Sequence, residues 1–523
     1  MRSSFLDRMR PSLLLGGIVL LSLTLRIWGS EFGLPAYTRY HPDEHALVER
    51  AAAILWTGDW NLQRFNYPPF YAYLQAGAYA AYFLWGAAQG LWSQVFPVVL
   101  PQYYHVGRSL TAIVGTLTVV IVYLAGRQLR GKRTGLLAAA FLGGNYLHVI
   151  HSHYATFDVM VGLLVALTFL FSELLRDRQE TKWYFLAGLC AGLAGATKYN
   201  GAVALVMPLV AHVLAAPKGE WGWINGRLFV GIGASLLGFF GGNPFALSNM
   251  PDFLTGLATV LHHYGTEQPG FEGSRNWIWY IRVFLTSADA PWVVAGVLGL
   301  IGIVWRDWRK GLLLLVFPVS YFLLISRFVV RFERNLVPLL PFLALGGGWL
   351  VDFVADWLAR RFGRGEVWSN AFASMGALLL LVLPLAAAVS FDAAISRTDL
   401  REVAGRWVED NVEWGSKIAI EHYSIPFDHS AYQVEDVIRI SDHNLAWYQQ
   451  EGYDILIISD GVWEVLRRQP ENYANKVAVY DELVTNSALL AEFVPDPPGI
   501  AVAGYPTVAI YHFAPVRILE VPE

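Results

Sequence analysis

Long apolar runs separated by short polar segments dominate the chain up to about residue 390. The first run is Leu13–Trp28. The further runs are Val106–Leu124, Gly135–Ile150, Val159–Leu174, Trp183–Ala196, Ala202–Ala216, Leu228–Gly241, Pro291–Trp305, Leu312–Ile325, Leu336–Phe353 and Ala371–Val389. A helix that spans a bilayer needs roughly 20 mostly apolar residues, so the pattern predicts a polytopic α-helical membrane protein with about eleven transmembrane helices.

Clusters of Arg and Lys predict which side of the membrane the ends of these runs face. The clusters lie at 127–133, 176–182, 218–227, 306–310 and 360–364, and each follows an even-numbered run. Because such clusters stay on the cytoplasmic side, we expect the N-terminus in the cytoplasm and the C-terminal region outside the cell membrane. Three arginines precede the first run and no small-residue cleavage site follows it before Glu31, so we expect this run to be retained as a helix.

One apolar segment, Tyr67–Phe96, does not fit the alternation. If it crossed the bilayer, the basic cluster at 127–133 would move to the outer side. We therefore predict that it lies along the outer membrane surface or dips into it, within a long first outer loop, Gly29–His105.

The pattern changes after Val389. Phe391–Glu523 is charged and mixed, with helix-like segments Asp399–Val412 and Val462–Arg468. The strand-like segments are Lys417–Glu421, Asp454–Ser459 and Thr507–Phe513. This alternation of patterns predicts a transmembrane domain over 1–390 and a small extracytoplasmic α/β domain over 391–523.

Composition supports a membrane protein. The chain is 55% hydrophobic and 15% charged, whereas soluble domains carry about 25% charged residues. A formal net charge of −4 argues against a nucleic-acid partner. The single cysteine, Cys190, excludes an intrachain disulfide.

In the predicted topology, the unusual polar motifs lie on the outer side of the membrane. These candidate residues are His41, Asp43, Glu44, His45, Tyr67, His151, His153, Asp158, Lys198, Arg331 and Arg334. Ionisable residues at a membrane boundary are costly and suggest function. A carboxylate there can act as a general base, and Lys or Arg can neutralise a phosphate. The residue types therefore favour group transfer from a lipid-phosphate donor whose tail lies between helices.

Other interpretations stay open at this point. Asp43 and Glu44 could favour the start of a helix, and Asp158 could cap one. Lys198 and Arg334 could snorkel to the interface. The histidines could ligate a divalent metal, although no spacing is diagnostic. A membrane transporter that uses the acidic pair, or a scaffold whose α/β domain binds a partner, are the alternative functions.

Several motifs together resemble a known group of enzymes. They are the acidic pair, Asn66-Tyr67-Pro68-Pro69-Phe70, Asp158, Ala196-Thr197-Lys198-Tyr199-Asn200-Gly201, and the segment from Arg331 to Pro341. Their order resembles the GT-C membrane glycosyltransferases, in the branch of protein O-mannosyltransferases and aminoarabinose transferases (glycosyltransferase family 39-like). The resemblance covers roughly residues 10–390.

This resemblance implies an inverting transfer of a sugar from a polyprenyl-phosphate donor to an acceptor on the extracytoplasmic face. Asp43 would be the general base or orienting carboxylate, with Glu44 beside it and Asp158 as a second acidic residue. Lys198 and Arg334 would hold the donor phosphate, with Arg331 as a helper.

The remaining candidates, which are His41, His45, His151, His153 and Tyr67, would contact substrate or a metal. The resemblance leaves open the sugar, the requirement for a metal, and whether the acceptor is a protein, a lipid or a glycan.

Overall fold

The computed structural model describes residues 5–35, 41–91, 101–215, 224–266, 275–422, 424–467 and 470–522. Most of the chain before residue 396 is helical. Its helices are α1 Phe5–Ile27, α2 Pro42–Thr57, α3 Phe70–Ala88, α4 Pro101–Leu129, α5 Lys132–Gly143, α6 Tyr146–Ser152, α7 Asp158–Arg178, α8 Thr181–Thr197, α9 Val206–Ala215, α10 Gly226–Gly242, α11 Phe245–Ser248, α12 Met250–Gly265, α13 Asn276–Thr286, α14 Ala290–Arg306, α15 Trp308–Ile325, α16 Leu340–Arg361 and α17 Glu366–Ile395. Two 3-10 helices, Tyr199–Leu205 and Glu333–Leu339, precede α9 and α16.

Several helices are long and apolar enough to cross a membrane. Among the described residues these are Pro101–Leu129, Asp158–Arg178, Trp308–Ile325, Glu333–Arg361 and Glu366–Asn411. The bent pair α13 and α14, which meet at 117°, forms a further span if it is counted as one. A multi-pass membrane protein is thus confirmed, but the predicted number of about eleven spans is not.

One predicted span is wrong as a single helix. The run Gly135–Ile150 is divided between α5 and α6, because the chain breaks at Gly144 and restarts at Asn145. The Asn145 side chain accepts a hydrogen bond from the backbone N–H of His148 at 2.7 Å and so caps α6. The residues on both sides of the break are buried, so the hydrophobic pattern of the sequence does not indicate that a helix ends there.

Close helix contacts fix the position of α8, whose last turn leads to Lys198. A Cβ at Gly192 would lie 2.0 Å from the carbonyl oxygen of Ser235 on α10, and one at Gly188 would lie 2.1 Å from that of Gly231. Small residues let membrane helices approach this closely. The packing therefore leaves α8 little freedom to shift against α10.

The segment predicted to lie along the membrane surface contains α3, which packs against α2. Its location relative to the bilayer stays a prediction, and residues 92–96 of that segment lie outside the described residues.

The C-terminal region contains a mixed sheet covered by helices. Its elements are α18 Leu400–Asn411, β1 Lys417–Glu421, β2 Gln433–Val437, α19 Leu445–Gln450, β3 Ile455–Ser459, α20 Asp460–Arg467, α21 Pro470–Asn486, β4 Ala488–Phe493, α22 Gly499–Val502, α23 Pro506–His512 and β5 Val516–Glu520. The strand order is β2-β1-β3-β5-β4. β1 pairs in parallel with β2 and β3, whereas β5 is antiparallel to β3 and β4.

Two of the predicted strands, now β1 and β3, are confirmed, and so are both predicted helices, now α18 and α20. The strand predicted over Thr507–Phe513 is wrong, because this segment forms α23. Tyr505, Val508 and His512 are buried at helical spacing, so tertiary packing overrides the strand-like composition. The division of the chain into domains at residue 390 stays a prediction.

A buried carboxylate at the end of β1 makes the stability of this sheet depend on pH. Glu421 accepts hydrogen bonds from the backbone N–H groups of Ile440 and Ser459 at 2.9 Å each, and from the hydroxyl of Tyr480. Burial raises the pKa of Glu421 to about 7, although these hydrogen bonds oppose the rise. Because the folded state holds the proton more tightly than the unfolded state, stability falls as the pH rises from about 4.5 through 7.

We expect Glu421→Gln to remove this pH dependence, which amounts to about 2–3 kcal/mol between pH 4.5 and 8. The measurement is hydrogen exchange in β1 and β3, corrected for the intrinsic effect of pH. Glu520→Gln, an exposed change in the same sheet, serves as the control and should keep the wild-type slope. An unchanged slope in Glu421→Gln would contradict this prediction.

Candidate active site

Asp43 and Arg334 form a buried ion pair where α2 meets the 3-10 turn that precedes α16. Nη2 of Arg334 lies 2.9 Å from Oδ2 of Asp43, and the hydroxyl of Tyr67 donates to Oδ1 at 3.0 Å. His41 is the N-cap of α2, and its Nδ1 accepts from the backbone N–H of Asp43 at 3.2 Å. Its Nε2 lies 3.3 Å from Nη1 of Arg334. The cap is therefore His41, and the Asp43 side chain faces a cation instead.

The surroundings keep Asp43 charged and His41 neutral. Burial alone raises the pKa of the Asp43 carboxyl, but Arg334, His41, Tyr67 and Lys198 together hold it below its ordinary value. Burial, followed by the charge of Arg334, lowers the pKa of His41 to about 3. At neutral pH the cluster thus contains a carboxylate, a guanidinium and an uncharged imidazole.

A second ion pair lies between α7 and the end of α8. Nζ of Lys198 lies 2.8 Å from Oδ1 of Asp158 and donates to Oδ1 of Asn335 at 3.1 Å. Asp158 begins α7 but makes no capping hydrogen bond there, since the N-cap is Phe157. Lys198 is 8% exposed and Arg334 is 6% exposed, so neither side chain snorkels to the surface.

The cavity next to these pairs has a volume of about 260 Å³. Tyr67, Lys198 and Asn200 are among the polar residues at its wall. Its other lining residues are Asn66, Pro68, Phe157, Tyr199, Leu257, Val260, Leu261, Tyr264, Leu324 and Phe328. A largely apolar cavity that contacts one lysine suits a ligand with an apolar chain and an anionic head.

Several buried polar atoms at the site have no hydrogen-bond partner among the described residues. They are Oδ2 of Asp43, Nε of Arg334, Oδ2 of Asp158 and Nδ1 of His151. Oδ2 of Asp43 has the nearby charge of Arg334 but not the alignment of a hydrogen bond. Because buried polar atoms in proteins are normally paired, this concentration of unpaired ones indicates a place where a polar ligand binds.

Glu44, the neighbour of Asp43, lies in a different environment. Nε and Nη2 of Arg108 bind its two oxygens at 2.8 and 2.9 Å, and the backbone N–H of Ala155 donates to Oε1 at 2.8 Å. Nη1 of Arg108 donates to the carbonyl oxygens of Ser30 and Phe32 at 3.0 and 2.9 Å. Glu44 therefore ties α2 to α4 and to the segment after α6, with both of its oxygens occupied.

Arg108 was missed from the sequence. The signal available was a lone arginine inside the apolar run Val106–Leu124, where an uncompensated charge would be costly. Glu333 lies within the segment from Arg331 to Pro341 but was given no role from the sequence, and its carboxylate binds Thr507 of α23 at 2.7 and 3.0 Å.

The structure places three other predicted residues in separate contacts. Nη1 of Arg331 donates to Oδ1 of Asn276 at 2.8 Å. His45 lies 2.9 Å from the Tyr104 hydroxyl, and His153 lies within 3.0 Å of the carbonyl oxygens of Val149 and Trp28.

His151 is buried near the cluster, where burial, His41, Arg334 and Lys198 lower its pKa well below the ordinary value. The residues that the structure brings together are thus His41, Asp43, Tyr67, His151, Asp158, Lys198 and Arg334. Among the described residues, no group of three or more His, Cys, Asp or Glu side chains could hold a metal ion.

These pKa directions predict how activity depends on pH. A lowered pKa keeps Asp43 charged, and a lowered pKa keeps His41 neutral, so neither group changes its charge between about pH 5 and 8. We therefore expect kcat/KM for the reaction at this site to show no inflection from these two residues in that range, measured with a substrate that does not titrate there. An acidic limb near pH 6.5 that disappears in His41→Gln would contradict the assignment.

One family model matches part of the chain. Residues 103–241, which include Asp158 and Lys198, match the family model described as dolichyl-phosphate-mannose-protein mannosyltransferase. No curated protein sequence matches the chain.

Solved structures share the fold at low sequence identity. The oligosaccharyltransferase of Archaeoglobus fulgidus in its apo form has a TM-score of 0.55 at 14% identity, over 95% of this chain and 74% of that one. The same archaeal enzyme, in complex with an inhibitory peptide and a dolichol-phosphate, has a TM-score of 0.53 at 13% identity, with the same coverage of both chains. ArnT from Cupriavidus metallidurans bound to undecaprenyl phosphate aligns over 97% of each chain at 15% identity, with a TM-score of 0.49.

The fold is therefore the GT-C fold of membrane glycosyltransferases, as the resemblance predicted. The family match covers residues 103–241, about a quarter of the chain, and the solved structures at 13–14% identity show the fold.

Proposed function

We propose that this protein transfers a sugar from a polyprenyl-phosphate donor to a nucleophilic acceptor at the extracytoplasmic membrane surface. The observation that carries the proposal is the buried Asp43–Arg334 pair, which Tyr67 links to a largely apolar cavity that Lys198 also lines. A carboxylate and two cations in and behind the wall of this cavity match the two needs of the reaction, which are proton removal and phosphate stabilisation.

Asp43 acts on the acceptor. Its carboxylate accepts the proton of the acceptor O–H or N–H as the acceptor atom forms a bond to C1 of the sugar. The bond from C1 to the phosphate oxygen breaks, and its electron pair leaves with the polyprenyl phosphate. Attack from the face opposite the phosphate inverts the configuration at C1. The Tyr67 hydroxyl, which donates to Oδ1, holds the carboxylate in place and leaves Oδ2 as the atom to take the proton.

Arg334 and Lys198 act on the donor. The Nε–H of Arg334 has no acceptor among the described residues, and a phosphate oxygen supplies one. The ammonium group of Lys198 forms an ion pair with Asp158, and a phosphate bound at the cavity would interact with the same ammonium group. These cations stabilise the negative charge that grows on the phosphate as the bond to the sugar breaks. Arg331 lies in a separate contact with Asn276 and would support this region without touching the phosphate.

The isoprenoid chain of the donor occupies the cavity. Leu257, Val260 and Leu261 of α12 and Leu324 of α15 give it an apolar wall. The neighbours of the same fold, as their names state, include an oligosaccharyltransferase in complex with a dolichol-phosphate. Polyprenyl-phosphate mannose is the first donor to test, because the matching family model describes transfer from dolichyl-phosphate mannose to protein.

The test is a transfer assay with purified full-length protein. Polyprenyl-phosphate donors that carry mannose, other hexoses or pentoses are each incubated with a membrane extract and with a peptide mixture, and products are read by mass spectrometry. We expect a sugar-dependent mass increase on an acceptor together with release of polyprenyl phosphate. Absence of transfer from every donor, in protein that binds no polyprenyl phosphate, would overturn the proposal.

A further inference from the structure

Helix α23 of the C-terminal region packs directly against the turn that carries Arg334. Thr507 donates twice to Glu333, from its backbone N–H to Oε1 at 3.0 Å and from its hydroxyl to Oε2 at 2.7 Å. Glu333 is 1% exposed and immediately precedes Arg334 in the same 3-10 helix. A helix more than 100 residues further along the chain thus occupies both oxygens of a buried carboxylate at the site.

The other end of α23 contacts the opposite side of the cluster. The ring of Tyr511 lies 5.0 Å from that of His41, centroid to centroid. Nε2 of His512 lies 2.5 Å from the hydroxyl of Tyr154, whose ring in turn packs 4.8 Å from His41. The helix therefore contacts both α2, through its cap, and the turn before α16.

Anchors next to α23 hold it in this position. Tyr505 donates to Oδ2 of Asp289 at 2.6 Å, and the carbonyl oxygen of Ala501 accepts a hydrogen bond from Tyr146. Asp289 also accepts from the backbone N–H groups of Tyr146 and Leu147 at 3.0 Å each. These contacts join the segment around α22 and α23 to the start of α6.

We propose that Thr507 is a positioning residue, which keeps Arg334 on Asp43 and on the donor phosphate by engaging Glu333. The inference rests on the proposed function, since it assigns Arg334 to the phosphate. Glu333 and Arg334 are adjacent in one 3-10 helix, so the contact that holds the Glu333 side chain also fixes the backbone that carries the guanidinium. Without the hydroxyl of Thr507, Oε2 of Glu333 becomes an underpaired buried acceptor that competes with Asp43 and the phosphate for the guanidinium.

The C-terminal region thereby completes the donor site. Thr507 and Tyr511 lie on one seven-residue helix, which contacts Glu333 beside Arg334 and His41 beside Asp43. A shift of α23 would move the Glu333 carboxylate and the His41 ring together. The position of the C-terminal sheet region therefore affects the position of Arg334, which is proposed to bind the donor phosphate.

The test compares Thr507→Val with Thr507→Ser in the full-length protein. Valine has nearly the shape of threonine but no hydroxyl, whereas serine keeps the hydroxyl. The readouts are the Kd for polyprenyl phosphate in detergent, and KM for the donor and kcat in the transfer assay. We expect Thr507→Val to raise both Kd and the donor KM roughly tenfold, since a hydrogen bond to a charged group is lost. We expect kcat to change less than about twofold, and Thr507→Ser to restore Kd to within about twofold of wild type.

The control is Glu492→Gln, which breaks a 2.8 Å pair with Arg517 in the sheet, away from α23. It should leave Kd and KM unchanged. If Thr507→Val binds polyprenyl phosphate as wild type does, or if Thr507→Ser or the control loses as much affinity, positioning by Thr507 is overturned while the proposed function stands. If the wild-type protein itself binds no polyprenyl phosphate, the proposed function fails, and this inference fails with it.

Discussion

Asp43→Asn is expected to lower kcat for sugar transfer, measured per folded molecule, by about 1,000-fold. The change also leaves the buried Arg334 without its partner carboxylate, so a loss of stability accompanies the loss of transfer. Asparagine has the shape of aspartate and its amide oxygen can still accept from the hydroxyl of Tyr67, but it cannot take a proton from the acceptor. The measurement is the rate of transfer from a polyprenyl-phosphate donor, followed by mass spectrometry. Size-exclusion chromatography and thermal unfolding in detergent report whether the variant is folded.

Binding of polyprenyl phosphate distinguishes a loss of catalysis from a loss of donor binding. Asp43→Asn should still bind polyprenyl phosphate, because Arg334 and Lys198 remain and Arg334 loses a competing carboxylate. The matched control is Asp59→Asn, since Asp59 is an exposed carboxylate just after α2, and it should keep transfer within about twofold. Transfer near the wild-type rate in Asp43→Asn would exclude this carboxylate as the base.

The scarcity of charge explains why these residues could be singled out from the sequence. In a chain with few ionisable residues, Asp43, Asp158, Lys198 and Arg334 stand out near the ends of apolar runs, and the structure brings them together as two buried ion pairs. Their roles in catalysis stay predictions. The pairing of each cation with one carboxylate was not predictable, because residues on different helices meet only through the packing of those helices.

Two features could not be predicted from the sequence, for physical reasons. Asp43 and Glu44 are adjacent, and neighbouring residues on a helix point in directions about 100° apart. One carboxylate therefore faces Arg334 and the other faces Arg108, which no local pattern could distinguish. Segment 507–513 was read as a strand from its β-branched and aromatic residues, but burial against the helical region imposes a helix.

The number of membrane spans shows another limit. Apolar runs locate buried or lipid-facing segments, but they do not report where a helix breaks. The break at Gly144 lies among fully buried residues, and the 117° bend between α13 and α14 lies near the buried Asp289. Asn145 accepts a hydrogen bond from the backbone N–H of His148. Asp289, between α13 and α14, accepts from the backbone N–H groups of Tyr146 and Leu147 at the start of α6. The contacts of Asp289 join distant parts of the chain, and such contacts become visible only in three dimensions.

Glu44→Gln is expected to lower the stability of the protein more than its rate of sugar transfer. Glu44 and Arg108 are both fully buried, so removal of one charge leaves the other uncompensated, which costs about 3–5 kcal/mol. The expected result is a marked drop in the yield and the thermal unfolding temperature of the purified protein. The transfer rate per folded molecule should stay within about tenfold of wild type, since Glu44 does not face the cavity.

A double variant tests whether the loss comes from the unpaired charge. Arg108→Met should destabilise the protein as much as Glu44→Gln, and Glu44→Gln with Arg108→Met together should cost less than the sum of the two, because neither leaves a buried charge behind. Additive losses would mean that the two side chains act independently, which contradicts the bidentate geometry. A stable Glu44→Gln protein without transfer activity would instead assign Glu44 to the chemistry. The two adjacent carboxylates thus differ in the expected transfer rate per folded molecule: Asp43→Asn loses it by about 1,000-fold, whereas Glu44→Gln keeps it within about tenfold although it destabilises the protein.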